Sequence, residues 1–361
     1  MKRFLLVLSL ATALLLPAVP AFAGTVPAPY QLWGWVTIRN MTPGTNTPAK
    51  ADRGSSSGGA ITYITAGDGG FAVRFNGLGA VGGVAHATAL DTGGHFCQVH
   101  TWFPDQVSPQ DEWVEVDCFT AAGVHSSTPL TVSFLATNDD PGPLGYLYSG
   151  DPTTGHNADP TRSYNSAQGI NFFNRQGVGA YTVVMPGLGM LDGNVIVSAV
   201  YDFVASSASN VKGTCVVLGA VRSTQAHVNL VNCYDLHGRA ADIPFTVSFT
   251  VDEGLKGNGT GAVAYLWAGQ PSTRSYVPDK AHSYSSAGTK PHIVRSGRGK
   301  YAVSLPGMPK GGSVQIMSFQ AGMRCNATSI RTATPQTIGV QCWKISSGKP
   351  HDARFTLSYE K

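Results

Sequence analysis

The feature that most constrains the fold is a set of landmarks that occurs three times, in the same order, along 361 residues. Each copy begins with a glycine-flanked segment, at Gly67, Gly177 and Gly297. A glycine-containing turn, a pair of cysteines and a closing segment similar to Phe-Thr-Val-Ser-Phe then follow in every copy. Because self-similarity at a nearly fixed spacing is typical of duplicated units, we expect repeated domains rather than one large domain.

Each repeat is expected to consist of β-strands. Apolar residues alternate with other residues along the glycine-flanked segment, as at Phe71, Val73 and Phe75. A period of two is typical of half-buried antiparallel strands, and a unit of about 110 residues with frequent turns fits two packed sheets. Glutamate, a common residue of exposed helix faces, occurs only four times. We predict an all-β chain of three tandem immunoglobulin-like or jelly-roll-like β-sandwich repeats.

The boundaries of the repeats are assigned from turn-rich segments near residues 139–142 and 253–261. The repeats then cover residues 24–140, 141–254 and 255–361. An aromatic pair with one residue between its members opens each repeat: Trp33/Trp35, Tyr146/Tyr148 and Tyr265/Trp267. Because tryptophan in a β-sandwich packs in the core more often than it stacks on a sugar ring, we interpret the tryptophans mainly as core residues.

The six cysteines occur as one pair per repeat, with separations of 21, 18 and 17 residues. Six cysteines allow many pairings, but the repeat favours one disulfide within each unit. Both members of each pair lie in strand-like segments, so each disulfide is expected to join neighbouring strands. The predicted disulfides are Cys97–Cys118, Cys215–Cys233 and Cys325–Cys342.

The first 23 residues have the pattern of a secretory signal peptide. Lys2 and Arg3 form a basic start, an apolar stretch follows, and Ala21-Phe22-Ala23 fits a signal-peptidase site. We therefore predict a secreted, extracellular protein whose mature chain begins at Gly24, a location that suits oxidised cysteines. No later segment approaches the roughly 18 consecutive apolar residues of a membrane helix, so no membrane span is expected.

Motifs of common catalytic sites do not occur in the sequence. We find no Gly-x-Ser-x-Gly elbow, His-Glu-x-x-His helix, phosphate-binding loop or dinucleotide fingerprint. His95 and His100 flank Cys97, but the other two repeats have no histidines at the corresponding places. No catalytic residue, metal site or cofactor is therefore predicted.

Two alternative functions come from the first repeat. A secreted hydrolase of the glycosidase type needs two carboxyl groups that flank the scissile bond. Glu115 and Asp117 share a predicted strand face with Trp113, although a solvated outer face with an exposed aromatic is the favoured interpretation. The second alternative is a protease inhibitor that presents the disulfide-closed loop 98–117. The carboxylate candidates are Asp105, Asp111, Glu112, Glu115 and Asp117.

Charge is distributed unevenly among the repeats. The first has 4 basic and 10 acidic residues, the second 5 and 8, and the third 14 and 3. Such a basic domain in an exported protein favours an anionic partner, such as an acidic polysaccharide or cell-wall polymer. Another protein, or the acidic first repeat, is the alternative, and no nucleic-acid fold signature occurs. The candidate binding residues around one predicted hairpin are Lys290, Arg295, Arg298, Lys300 and Lys310.

Four elements that the repeats share also support a resemblance. They are Gly-x-Gly-x-Tyr-x-Val, Pro-Gly-Leu, the paired cysteines and the final Phe-Thr-Val-Ser-Phe, within about residues 30–361. Tandem units with these elements resemble uncharacterised repeat proteins that bacteria export. The resemblance brings no catalytic residues and implies no activity. We expect a secreted, non-catalytic protein that binds surfaces, glycans or other proteins.

Overall fold

A computed structural model of the chain describes residues 29–154, 158–189, 192–201, 210–223, 225–256 and 261–361. The predicted signal peptide at residues 1–23 lies outside these ranges. Within them the chain forms antiparallel strands and four single-turn 3-10 helices, and the described part contains no α-helix. The all-β prediction is therefore confirmed.

The first repeat is a sandwich of two antiparallel sheets. Its strands are β1 (Gln31–Ile38), β2 (Gly44–Asn46), β3 (Arg53–Ser55), β4 (Ile61–Thr65), β5 (Gly70–Phe75), β6 (Val84–Ala89), β7 (Phe96–Pro104), β8 (Glu112–Phe119) and β9 (Leu130–Thr137). One sheet has the order β3-β1-β9-β6 and the other the order β2-β4-β5-β8-β7. A 3-10 turn at Lys50–Asp52 precedes β3.

The second repeat has the same arrangement, without a strand equivalent to β2 among its described residues. Its strands are β10 (Leu144–Tyr148), β11 (Ser163–Asn165), β12 (Phe172–Gly177), β13 (Ala180–Pro186), β14 (Asn194–Ala199), β15 (Gly213–Arg222), β16 (Ala226–Asp235) and β17 (Phe245–Thr250). The sheet orders are β11-β10-β17-β14 and β12-β13-β16-β15. The 3-10 turn at Pro160–Arg162 again precedes the short edge strand.

The third repeat repeats the plan once more. Its strands are β18 (Val263–Ala268), β19 (Ser275–Tyr276), β20 (Ser283–Ser285), β21 (His292–Gly297), β22 (Lys300–Leu305), β23 (Ser313–Ser318), β24 (Met323–Ile330), β25 (Gln336–Lys344), β26 (Lys349–Pro350) and β27 (Phe355–Glu360). The orders are β20-β18-β27-β23 and β19-β21-β22-β25-β24, with β26 on β25. Its 3-10 turns are Lys280–His282 and Ile345–Ser347.

All three predicted disulfides are confirmed. Each joins directly paired residues of two neighbouring strands in the second sheet of its repeat, with a Cα–Cα distance of 4.0 Å. Because the two cysteines of a pair lie opposite each other across a ladder, the cross-link reinforces the hairpin locally. The bonds are Cys97–Cys118, Cys215–Cys233 and Cys325–Cys342. Three disulfides and no free cysteine among the described residues fit an oxidising environment.

The second glycine of each Gly-x-Gly landmark is required by the turn that it occupies. Gly69, Gly179 and Gly299 have φ angles of +107°, +64° and +68°, which residues with a Cβ rarely adopt. A Cβ atom there would lie 2.6 to 2.7 Å from the carbonyl oxygen of the second cysteine in the repeat. The landmark therefore marks the place where the hairpin turn meets the disulfide-bonded strand.

The predicted aromatic pair Trp33/Trp35 is displaced by two residues from its counterparts in the other repeats. Strand pairing places Trp35 opposite Ser133, as Tyr146 lies opposite Ser248. Trp35 is thus the counterpart of Tyr146, and Thr37 stands where the second repeat has Tyr148. In the first repeat, Trp35 and Thr37 therefore occupy the two positions that are aromatic in the other repeats. Trp33 lies two residues before Trp35 on the same strand.

Burial shows how the repeats pack on one another. The landmark strand β5 alternates between buried and half-buried residues, as predicted. The last strands of the first sheets, β6, β14 and β23, are buried at every position. One face of each packs in its own sandwich, and the other packs against the neighbouring repeats. The polar residues on these outer faces are consequently interior to the molecule.

A cyclic set of hydrogen bonds joins the three sandwiches. Thr246 of β17 donates its hydroxyl hydrogen to the Ala85 carbonyl of the first repeat at 2.9 Å. Its counterpart Thr356 donates to the Val195 carbonyl of the second repeat at 3.2 Å. Thr131 completes the set by donating to the carbonyl of the third repeat that is equivalent to these two, at Val314. Each repeat therefore gives one bond and receives one, so the three pack around a common centre.

His86 is the titratable group at this centre. Its Nδ1 lies 3.1 Å from Ser198 Oγ and its Nε2 lies 2.7 Å from Ser248 Oγ, so the ring connects the first and second repeats. Complete burial lowers the pKa of His86 from 6.5 to about 3, because the charged imidazolium would lose its hydration. The folded protein therefore holds His86 neutral down to acid pH.

We predict that Thr246→Val lowers the free energy of unfolding by about 1–2 kcal/mol, because a buried carbonyl loses its donor while side-chain size is conserved. Urea denaturation measures the change. Thr182→Val, on the half-buried outer face of β13, is the control and should change stability by less than about 0.5 kcal/mol. Equal stability of Thr246→Val and the wild type would contradict a structural role for the cyclic bonds.

We predict that the protein loses stability as the pH falls below about 6.5, where unfolded His86 binds a proton and folded His86 does not. The loss for this group approaches about 1.4 kcal/mol per pH unit and continues to the folded pKa of about 3. His86→Gln, the residue found at the equivalent Gln315, should remove this part of the slope. The exposed His237→Gln should leave the urea midpoints at pH 4 to 7 unchanged. A wild-type slope in His86→Gln would refute the assignment.

Candidate functional site

Four of the five basic residues expected around one hairpin lie at its two ends. Arg298 and Lys300 are exposed at the turn between β21 and β22. Lys290 precedes β21, and Lys310 follows β22, so both lie at the opposite end. A strand of six residues is roughly 20 Å long. The hairpin therefore carries two separate basic regions, with Arg295 between them.

Arg295 is engaged within the repeat. Its guanidinium donates to both carboxylate oxygens of Asp352, at 2.9 and 2.8 Å. The Gly299 amide donates to the same carboxylate at 2.7 Å, and the Tyr301 hydroxyl contacts it at 3.4 Å. The hydrogen bond to Asp352 raises the pKa of Arg295. This residue therefore holds the hairpin turn against the segment before β27.

The second repeat contains the same group of contacts. Arg175 donates to both oxygens of Asp242, at 3.1 and 2.8 Å, and the Tyr181 hydroxyl donates to Asp242 at 2.7 Å. The first repeat has Thr65, Phe71 and Ser127 at the three equivalent positions. A signal for this role was present in the sequence, since Arg, Tyr and Asp occur together at these positions in the second and third repeats and are all absent there from the first.

Lys290 lies in an open groove of about 410 Å³ on the third repeat. We call it the lysine groove, and its lining residues are Val277, Pro278, Lys280, Ser283, Tyr284, Ser285, Gly288, Thr289, Lys290 and Pro291. Lys280 and Lys290 are exposed. In the described part of the third repeat, the ion pair of Arg295 is the only one, so neither lysine has a carboxylate partner.

The lysines distinguish this groove from its counterparts. The 3-10 turn and short strand that form it are shared by all repeats. At the positions of Lys280 and Lys290 the second repeat has Pro160 and the exposed Ile170. The first repeat has Lys50 at the position of Lys280, but no lysine at the position of Lys290. Sequence reasoning missed Lys280, although it aligned the neighbouring loops.

The carboxylates of the first repeat fall into two groups. Asp105 and Asp111 both pair with Arg74, at 3.1 and 2.8 Å. Glu112 has no exposed surface, and burial raises its pKa to about 8. Its Oε2 accepts a hydrogen bond from the Ala80 amide at 3.1 Å. Asp105 and Asp111 thus hold the loop around residues 105–111 to Arg74, and Glu112 binds the backbone at Ala80.

Glu115 and Asp117 do share an outer sheet face, as expected. They line a shallow groove of about 360 Å³ together with Asp68 and His100. Asp117 is hydrogen-bonded to His100 Nδ1 at 2.6 Å. The Asp117 carboxylate is thus held by His100, and a glycosidase pair at Glu115 and Asp117 stays a prediction.

The loop 98–117 is mostly regular structure. Residues 96–104 and 112–119 pair as β7 and β8, and the disulfide closes their far end. The exposed tip is short and presents Val107, which is 91 % exposed.

The histidines beside Cys97 are engaged separately, His95 with Asp91 and His100 with Asp117. Across the described residues, no three His, Cys, Asp or Glu side chains form a group that could hold a metal ion.

The tryptophans divide between core and surface. Trp35, Trp102 and Trp343 are buried, as a core role predicts. Trp33, Trp113 and Trp267 are half-buried.

Among the described residues, no helix has the length and apolarity to cross a membrane.

The lysine groove is thus the candidate site that combines volume, access and unpaired charge. No protein-family model matches the chain, and no curated protein or solved structure matches it. The function is therefore inferred from the geometry and charge of this chain alone.

Proposed function

We propose that this is a secreted, non-catalytic binding protein whose third repeat binds an anionic polysaccharide or cell-wall polymer. The observation that carries the proposal is the lysine groove, in which Lys280 and Lys290 are exposed without carboxylate partners. Ammonium groups bind carboxylate or phosphate groups as point charges, and their binding is sensitive to salt.

The chemistry of the groove suits a polymer of sugars. Tyr284 forms part of its wall, and the hydroxyls of Ser283, Ser285 and Thr289 line it. Aromatic side chains pack against the apolar faces of sugar rings, while hydroxyl groups exchange hydrogen bonds with sugar hydroxyls.

The overall charge distribution supports the same partner. The third repeat has 14 basic and 3 acidic residues, so its field attracts a polyanion before contact. The first two repeats are acidic and repel the same polymer. Attraction by the third repeat and repulsion by the other two direct an approaching polyanion towards the third repeat. The predicted signal peptide and the three disulfides agree with a location where cell-wall polymers occur.

The test is binding of polygalacturonate to the full chain, measured by isothermal titration calorimetry at several salt concentrations. We expect the double variant Lys280→Gln/Lys290→Gln to bind about tenfold more weakly at low salt, which corresponds to about 1.4 kcal/mol, and to depend less on salt. Lys344→Gln/Lys349→Gln is the matched control, because it removes the same charge from exposed positions on β25 and β26.

The two possible failures have different meanings. Absence of polygalacturonate binding by the wild type at low ionic strength would overturn the proposed function. Equal weakening in both double variants would retain an anionic partner but remove the lysine groove as its site, since only the general charge would then matter.

A further inference from the structure

The cyclic packing creates three equivalent joints between repeats. In each joint, the bulged strand of one repeat faces the opening strand and 3-10 turn of the next. Trp102, Ala220 and Ile330 are equivalent, because each is the third residue after the start of the same register shift in β7, β15 and β24. The three joints therefore share a backbone plan, and their side chains differ at this position and at others that face it.

The joint between the first and second repeats is filled by Trp102. This side chain is 1 % exposed and lies edge-on to Tyr148, with ring centroids 5.3 Å apart. The Arg162 guanidinium stacks over the indole at 4.4 Å and donates a hydrogen bond to the Trp102 carbonyl at 3.0 Å. Aromatic packing and the bound guanidinium leave this joint closed.

The joint between the third and first repeats is closed in a similar way. Ile330 is buried there. Arg39 pairs with Asp52 at 3.1 Å and donates to the Ile330 carbonyl at 3.4 Å. An arginine of the first repeat thus binds the same carbonyl position that Arg162 binds in the other joint.

The joint between the second and third repeats is open. Ala220 is exposed where the other joints have a buried Trp or Ile. Trp267 takes the place of Tyr148 and His282 takes the place of Arg162. The result is a cleft of about 390 Å³, which we call the joint cleft. Its lining includes Ala220, Trp267, Gln270, Asp279, Phe319 and Arg354.

Aromatic rings form the wall of the joint cleft. Trp267 stacks on His282 with centroids 5.0 Å apart and contacts Phe319 at 4.9 Å. The Trp267 Nε1 and His282 Nδ1 atoms are buried and have no hydrogen-bond partner among the described residues. Buried polar atoms without a partner are uncommon in folded proteins and call for an explanation, such as a bound water. The wall therefore combines apolar ring surface with polar atoms that need partners.

Charged and polar side chains surround the aromatic wall. The Arg354 guanidinium lies 5.0 Å from the Phe319 ring centre, is exposed and has no ion-pair partner in the described part of the chain. Gln270 and Asp279 line the same cleft. An arginine fork binds a carboxylate through two parallel hydrogen bonds. The amide and carboxylate suit hydroxyl groups, which donate and accept.

We propose that the joint cleft binds one sugar ring that carries a carboxylate, a uronic acid residue. The aromatic wall packs against the C–H face of the ring, Arg354 binds the carboxylate, and Gln270 with Asp279 binds hydroxyls. A pocket of a few hundred Å³ holds a ligand of this size. This inference rests on the proposed function and deepens it, because it names the class of sugar and its position.

The joint cleft and the lysine groove belong to one continuous surface. Pro278 lines both, and the segment from Tyr276 to Lys280 separates them. A polyuronate that places one ring in the joint cleft continues across this segment to the two lysines. In this proposal the joint cleft determines which sugar ring binds, and the lysine groove attracts the rest of the polymer.

The experiment measures binding of glucuronate and a galacturonate oligomer to the full chain by calorimetry and by the shift of the Trp267 indole N–H signal in NMR. Ala220→Trp fills the cleft with the side chain that Trp102 provides in the closed joint. We expect at least tenfold weaker glucuronate binding in this variant and in Arg354→Gln, with normal thermal unfolding. Because Arg354 is exposed, its substitution tests the site even if Ala220→Trp disturbs packing. Lys280→Gln/Lys290→Gln should keep glucuronate binding and weaken only the oligomer.

Each other outcome contradicts a stated part of the inference. Wild-type glucuronate binding in Ala220→Trp, or no shift of the Trp267 signal, would remove the cleft as the site. Glucose bound as tightly as glucuronate, with no effect of Arg354→Gln, would remove the carboxylate specificity. If Lys280→Gln/Lys290→Gln lost oligomer binding while Ala220→Trp and Arg354→Gln bound the oligomer as the wild type does, the proposed function would be retained and the joint cleft would be overturned as a site.

Discussion

The hydrogen bonds from Thr131, Thr246 and Thr356 to carbonyl groups of the neighbouring repeat organise this molecule. Since each repeat both donates and accepts, the three sandwiches close into a ring rather than extend as a chain of separate domains. The closure buries both faces of β6, β14 and β23. The polar atoms on those strands are compatible with burial because partners in other repeats satisfy many of them.

Ring closure also explains how three copies of one unit came to differ. Equivalent positions face equivalent joints, so a change at one of them alters a single interface while the common framework persists. Trp102 and Ile330 close two joints, whereas Ala220 opens the third. The Arg–Asp contact that holds the hairpin turn is likewise present in two repeats and replaced in the first. The net charge also differs among the repeats, because exposed side chains can change without affecting the core.

Much of each sandwich could be predicted from the sequence because its determinants are local. Alternation identified the landmark strands, and the spacing of Cys97 and Cys118 identified a pair of neighbouring strands. The candidate site was predicted less well. Lys290 lies in a groove, but Arg295 is paired with Asp352, and Lys280 was missed. Whether a basic side chain is free depends on a carboxylate far away in sequence, which no spacing rule locates.

The sequence by itself determined the strand content, the threefold duplication, the disulfide partners and the concentration of positive charge in the third repeat. These properties follow from periodicity and composition within each unit. Only the tertiary structure decided that the repeats close on one another, that His86 is buried between two of them, and that one joint remains open. Those properties depend on surfaces meeting across more than a hundred residues, where the local pattern of a strand is the same whether its outer face meets water or another repeat.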